Sequence, residues 1–92
     1  MSHMVPSPRI DIKRKCILSF DGLDIQGESK NLSLSGALIK LNDQTPKNIH
    51  PGDNCYLIFN SHQDLYVIKY NSKVVRVDSE IIGIQFLGFD IL

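Results

Sequence analysis

Between Ile10 and Phe20 apolar and polar side chains alternate. Ile10, Ile12, Cys16, Leu18 and Phe20 share one face, and Asp11, Lys13, Lys15 and Ser19 take the other. A period of two marks a half-buried strand, because successive side chains of extended backbone point to opposite faces. Arg14 interrupts the apolar face, so it sits at a bulge or reaches out from the end of the sheet. Asp21-Gly22 reads as a turn and Leu23–Leu32 as the returning strand. Further strands are predicted at Ala37–Leu41, Cys55–Phe59, Leu65–Tyr70, Ser72–Val77 and Ile81–Phe86. The turn-forming clusters Asn42-Asp43, Thr45-Pro46, Pro51-Gly52-Asp53, Asn60-Ser61-His62 and Asp78-Ser79 separate them.

In EIIGIQF the same alternation puts Ile82, Ile84 and Phe86 on one face and Gly83 and Gln85 opposite. No stretch has helical periodicity. Many short strands at regular spacing predict an all-β domain, a small antiparallel barrel or sandwich. A closed barrel of about six strands fits this spacing best.

Length and charge narrow the function. The chain has 92 residues, which is one domain with a thin core. Residues 5–92 are read as that domain and the opening MSHM as vector-derived, which sets His3 aside. Lys plus Arg and Asp plus Glu are ten each, so no overall field attracts nucleic acid or an anionic membrane. An anion must be met by a local cluster, and Arg9, Lys13, Arg14 and Lys15 fall close together. Cys16 and Cys55 are too few and too far apart for a disulfide framework or a metal site, and are expected to be small buried hydrophobes. The chain shows no signal peptide and no apolar run long enough to span a membrane, so a cytoplasmic location without membrane insertion is expected.

Catalysis finds no support. His50 and His62 lie in polar turn stretches without acidic or cysteine partners at ligand spacing. Ser33 and Ser35 lack the strand–turn–helix setting of a nucleophile elbow. The carboxylates are scattered.

Binding is better served, by the segment PRIDIKRK together with NLSLSG at residues 31–36. An arginine offers a planar fork that meets the O6 and N7 edge of guanine or clamps a phosphate. Asn31 carries a donor and an acceptor for a base edge, and Ser33 a hydroxyl. Gly36 allows positive φ and lets a ligand approach the backbone. Taken singly, these are what any turn or solvated strand start contains. Their joint placement suits a guanine nucleotide.

From Pro8 to Phe89 the chain resembles the PilZ domain family. Asn31, Ser33 and Gly36 match that family's [D/N]xSxxG motif, and GALIKL, PGDNCYLIF, KVVRV and IIGIQFLG follow in the expected order. The resemblance implies a six-stranded antiparallel barrel that binds cyclic di-GMP, without a metal, through that motif and an N-terminal RxxxR. The second motif is incomplete here. With Arg9 as its second arginine, Val5 stands where the first should be; the alternative register pairs Arg9 with Lys13. Lysine is a point charge and the poorer reader of guanine.

The resemblance therefore implies a non-catalytic cyclic di-GMP receptor. Arg9 would meet guanine or phosphate. Asn31, Ser33 and Gly36 would form the barrel side of the site, and Lys13 and Arg14 would add attraction for a dianion. Ligand binding is expected to order the N-terminal segment and so change the surface offered to a protein effector. The alternative is a degenerate PilZ domain that has lost the nucleotide and serves as an interaction adaptor in pilus or flagellar motility. With Leu92 soon after the last strand, a minimal, monomeric barrel without a pairing helix is expected.

Overall fold

A computed structural model describes residues 13–59 and 67–92. Within them lie six strands: β1 (Arg14–Phe20), β2 (Leu23–Leu32), β3 (Gly36–Leu41), β4 (Asn54–Phe59), β5 (Ile68–Val77) and β6 (Ile81–Ile91). Every pairing is antiparallel, and the order β1-β2-β3-β6-β5-β4 closes into a barrel through β1 and β4.

The alternation predicted for the first strand is what fills this barrel. Cys16, Leu18 and Phe20 point inward from β1, and Ala37, Ile39 and Leu41 from β3. Cys55 and Leu57, Val74, and Ile82 and Ile84 complete the set from β4, β5 and β6. Side chains pack the interior solidly, as in other small barrels. Ile49, from the connection between β3 and β4, is buried with them. Ile25 and Leu32 pack on the core from β2, and between them two inward positions are small. Gly27 is one, and a β-carbon there would come within 2.7 Å of the Lys40 carbonyl oxygen. Ser29 is another, fully buried, and its hydroxyl accepts the Arg14 amide hydrogen at 3.2 Å. Asp21 and Gly22 make the tight turn, with φ of 52° and 80°. Positive φ at both central residues matches the right-handed twist of a hairpin.

β3 and β4 begin one residue earlier than the sequence reading, and larger differences occur at β5 and β6. The strands expected at Leu65–Tyr70 and Ser72–Val77 are, over the described residues, one strand, β5; residues 65 and 66 lie outside them. Asn71 does not break it, because it is paired on both sides, with Tyr56 and Gly88. The last strand runs on to Ile91 instead of stopping at Phe86. Of the strand expected from Ile10, the described part begins at Arg14; residues 10–12 and the Asn60-Ser61-His62 turn lie outside the described residues.

Two register shifts set which side chains face outward near the ends of β2 and β5. Ser29 pairs with Ile39, but Asn31 pairs with Leu38, so Lys30 is an extra residue on β2. Val74 pairs with Ile84, but Arg76 pairs with Gly83, so Val75 is an extra residue on β5. Each bulge reverses the inside–outside alternation beyond it. Counted strictly from buried Ser29 and Val74, both Asn31 and Arg76 would point into the core. The bulges turn both to the outer face.

Candidate functional site

NLSLSG forms the connection between β2 and β3. Neither Leu34 nor Ser35 has positive φ, so the turn is not one of the primed types that close most two-residue hairpins. A side chain closes it instead. The Ser33 hydroxyl accepts the amide hydrogens of Ser35 and Gly36 at 3.2 and 3.3 Å, while the Ser33 amide donates to the Gly36 carbonyl at 2.9 Å. The Ser33 and Ser35 hydroxyl oxygens are 3.1 Å apart. The turn is then tied to β6, because the Phe86 amide donates to the Ser35 carbonyl at 2.8 Å.

Gly36 departs from expectation. Its φ is not positive, and what comes close to its backbone is not open space for a ligand but the neighbouring strand. A β-carbon at residue 36 would run into the carbonyl oxygen of Ile84. Glycine is required here so that β3 and β6 can pair.

Beside the turn lies an open hollow of about 540 Å³ on the outer face of β3, β6 and β5. Asn31, Ser33 and Gly36 all line it, so three of the residues singled out in the sequence do meet. A row of cross-strand neighbours runs through it: Asn31 beside Leu38, Leu38 beside Gly83, and Gly83 beside Arg76. The row spans three interstrand spacings, roughly 14 Å. The Asn31 carboxamide makes no hydrogen bond to a described residue. Arg76 donates from Nε to Asp78 Oδ2 at 2.8 Å.

Of the basic residues of the first segment, none that is described lines that hollow. Arg9 lies outside the described residues, and Lys13 is exposed ahead of β1. Arg14 neither bulges nor lines the hollow. It lies at one end of the barrel with its guanidinium carbon 4.6 Å from the centroid of the Phe59 ring. That ring belongs to an aromatic group with Tyr70 and Phe86, Tyr70 and Phe86 being stacked at 4.8 Å.

Another hollow, of about 460 Å³, is lined by Lys15, Glu28, Lys40 and Glu80 among others. Its charges alternate in sign, so a phosphate there would face carboxylates as well as ammonium groups. His50 is exposed, its imidazole 3.9 Å from Asp53, as a loop histidine should be. Burial pushes the thiols of Cys16 and Cys55 up to about 11, which makes both poor nucleophiles. Among the described residues no three His, Cys, Asp or Glu side chains group as metal ligands, and no helix is long and apolar enough to cross a membrane.

A closed six-stranded barrel with this turn between its second and third strands now meets its match in sequence: the PilZ domain profile covers residues 6–91. The chain belongs to the PilZ domain family. That family consists of cyclic di-GMP receptor domains, which are not catalytic. Among solved structures the chain is similar to the PilZ domain of CeSA from a cellulose-synthesizing bacterium. The TM-score is 0.73 at 15% identity, over 87% of this chain and 80% of that one. At that identity the likeness is one of fold. No curated protein matches the sequence.

Sequence reasoning did not single out Leu38, Gly83 or Arg76 as lining residues of this PilZ barrel. A signal for Arg76 was present. In KVVRV strict alternation from an inward Val74 turns an arginine into the core, which is the mark of a bulge.

Proposed function

We propose that this PilZ domain is a receptor for cyclic di-GMP. One observation carries the reading: Asn31, Ser33 and Gly36, distributed over a strand, a turn and the next strand, line a single open hollow on the outside of the barrel. The three have different duties. Asn31 presents an unengaged amide to the ligand, Ser33 shapes the turn that fixes the hollow's rim, and Gly36 lets β6 close beneath it. Arg9 supplies the guanidinium that meets guanine or phosphate, and Lys13 adds charge from the approach to β1. Arg14, engaged on Phe59, contributes field and not a direct contact. Recruitment of the N-terminal segment to the bound dianion changes the surface offered to a protein effector, and that change is the signal.

Calorimetric titration of the chain with cyclic di-GMP, with GTP as the control, tests this. Saturable binding of the cyclic dinucleotide alone, weakened by Arg9→Ala and by Asn31→Ala, is the expected result. Arg9→Ala binding as tightly as the parent would remove Arg9 from the site.

The competing reading rests on Val5, which stands where the first arginine of the RxxxR motif belongs. On that reading the domain is an interaction adaptor without a nucleotide. It requires that no heat be detected at high cyclic di-GMP concentration.

A further inference from the structure

Among the described residues lining the hollow, Arg76 alone carries a charge. Three features of its placement fit it for recognising a flat, hydrogen-bonding group. The bulge at Val75 turns it outward, at the far end of the row that begins with Asn31. Between the two ends the surface is apolar and low. Gly83 has no side chain, and Leu38 leans over it, within 3.2 Å of where a β-carbon would sit. Finally, the guanidinium is held at one corner only. Nε is bonded to Asp78, while neither Nη nitrogen hydrogen-bonds to a described residue. A fork anchored through Nε keeps its plane and leaves its paired outer donors free, and such a fork meets two adjacent acceptors together.

Guanine offers two such acceptors, O6 and N7, on one edge of a flat ring; adenine replaces O6 with a donor amine and does not. We propose that Arg76 reads the O6 and N7 edge of a guanine laid across Leu38 and Val75, with Asp78 as the positioning residue that orients the guanidinium. The inference rests on the cyclic di-GMP reading and adds to it the origin of base selectivity. Attraction to a phosphate would need only charge. Reading the base needs the fork.

The test is titration of the parent, Arg76→Ala and Arg76→Lys with cyclic di-GMP and with cyclic di-AMP. Arg76 is largely exposed, so both variants should keep the parent's thermal unfolding midpoint. Arg76→Ala should lose roughly tenfold to a hundredfold in cyclic di-GMP affinity, the value of a good bidentate base contact. Arg76→Lys should not recover it. Any affinity for cyclic di-AMP should be unchanged in both. Parent-like affinity in Arg76→Ala overturns the inference and leaves the receptor reading intact. Recovery by lysine, or an equal loss for both dinucleotides, places Arg76 on phosphate and overturns the base assignment. A parent that binds neither dinucleotide overturns the receptor reading and this inference with it.

Discussion

The main chain of Gly36 lies so close to the carbonyl oxygen of Ile84 that no β-carbon fits between them. The glycine of the [D/N]xSxxG motif is thus a packing requirement of the β3–β6 seam. Gly36→Ala should push β6 away and lower stability by roughly 1–3 kcal/mol, the usual cost of overfilling a tight contact. Thermal or urea unfolding measures it. Gly88→Ala is the control, because a β-carbon there meets nothing within 4 Å; it should change stability by less than about 0.5 kcal/mol. Equal effects at the two sites would contradict the packing argument.

The Ser33 hydroxyl takes the place of a main-chain acceptor for two amides. Ser33→Ala leaves both to solvent and should cost about 1 kcal/mol, as loss of a comparable side-chain cap does. Hydrogen exchange at the Ser35 and Gly36 amides should quicken in the variant while core amides of β1 and β4 keep their protection. Unchanged exchange at those two positions would mean that the turn holds itself.

Arg14 and Phe59 should be energetically coupled. A double-mutant cycle with Arg14→Ala and Phe59→Leu isolates the ring contact from the other interactions of the arginine. A coupling of about 0.5–1 kcal/mol is expected for a half-buried cation over a ring. A value near zero would reduce the contact to mere proximity.

Stability should fall in alkali because of the buried thiols. Burial, the larger cause, and the nearby carboxylates of Glu28 (for Cys16) and Asp53 (for Cys55) raise each from 9.0 to about 11 in the fold. Below pH 9 both folded and unfolded chains hold these protons, and the thiols' contribution is fully present. Between 9.0 and about 11 the unfolded chain releases them first, so each unit of pH costs about 1.4 kcal/mol per thiol. Urea midpoints across this range should decline more steeply for the parent than for the Cys16→Ala, Cys55→Ala double variant. Parallel declines would assign the loss to other groups.

The fold was legible wherever one face of a strand is buried, because alternation then follows from the pleat alone. Cys16, Leu18 and Phe20 show it, and so do Ile82 and Ile84. Legibility failed where pairing, not pattern, decides. Asn71 looks like a turn residue but is held in β5 by neighbours on both sides. The far end of β6 was unreadable for a related reason: Phe89 and Ile91 are exposed, so burial imposes no alternation there. At the site, the motif residues were readable as a group, but their duties were not. Whether a serine hydroxyl faces a ligand or its own turn depends on the φ values of Leu34 and Ser35. The bulge that turns Arg76 outward left a mark in KVVRV, but the neighbourhood of Arg76 depends on a strand order that places β5 two strands from β3, and no local pattern carries that order.

That strand order also sets when the site comes into being. The β2–β3 and β5–β6 pairs are local hairpins, able to form early and separately. The hollow belongs to neither. It exists only after residues 36–40 dock against residues 81–85, a pairing that must first close a long loop of chain. Non-local closure of this kind makes barrels slow folders, on the scale of milliseconds to seconds. The hollow therefore cannot form before that pairing does. A chain in which β3 and β6 have not paired carries every residue of the motif and yet has no hollow, so on the receptor reading a ligand would bind only a finished barrel.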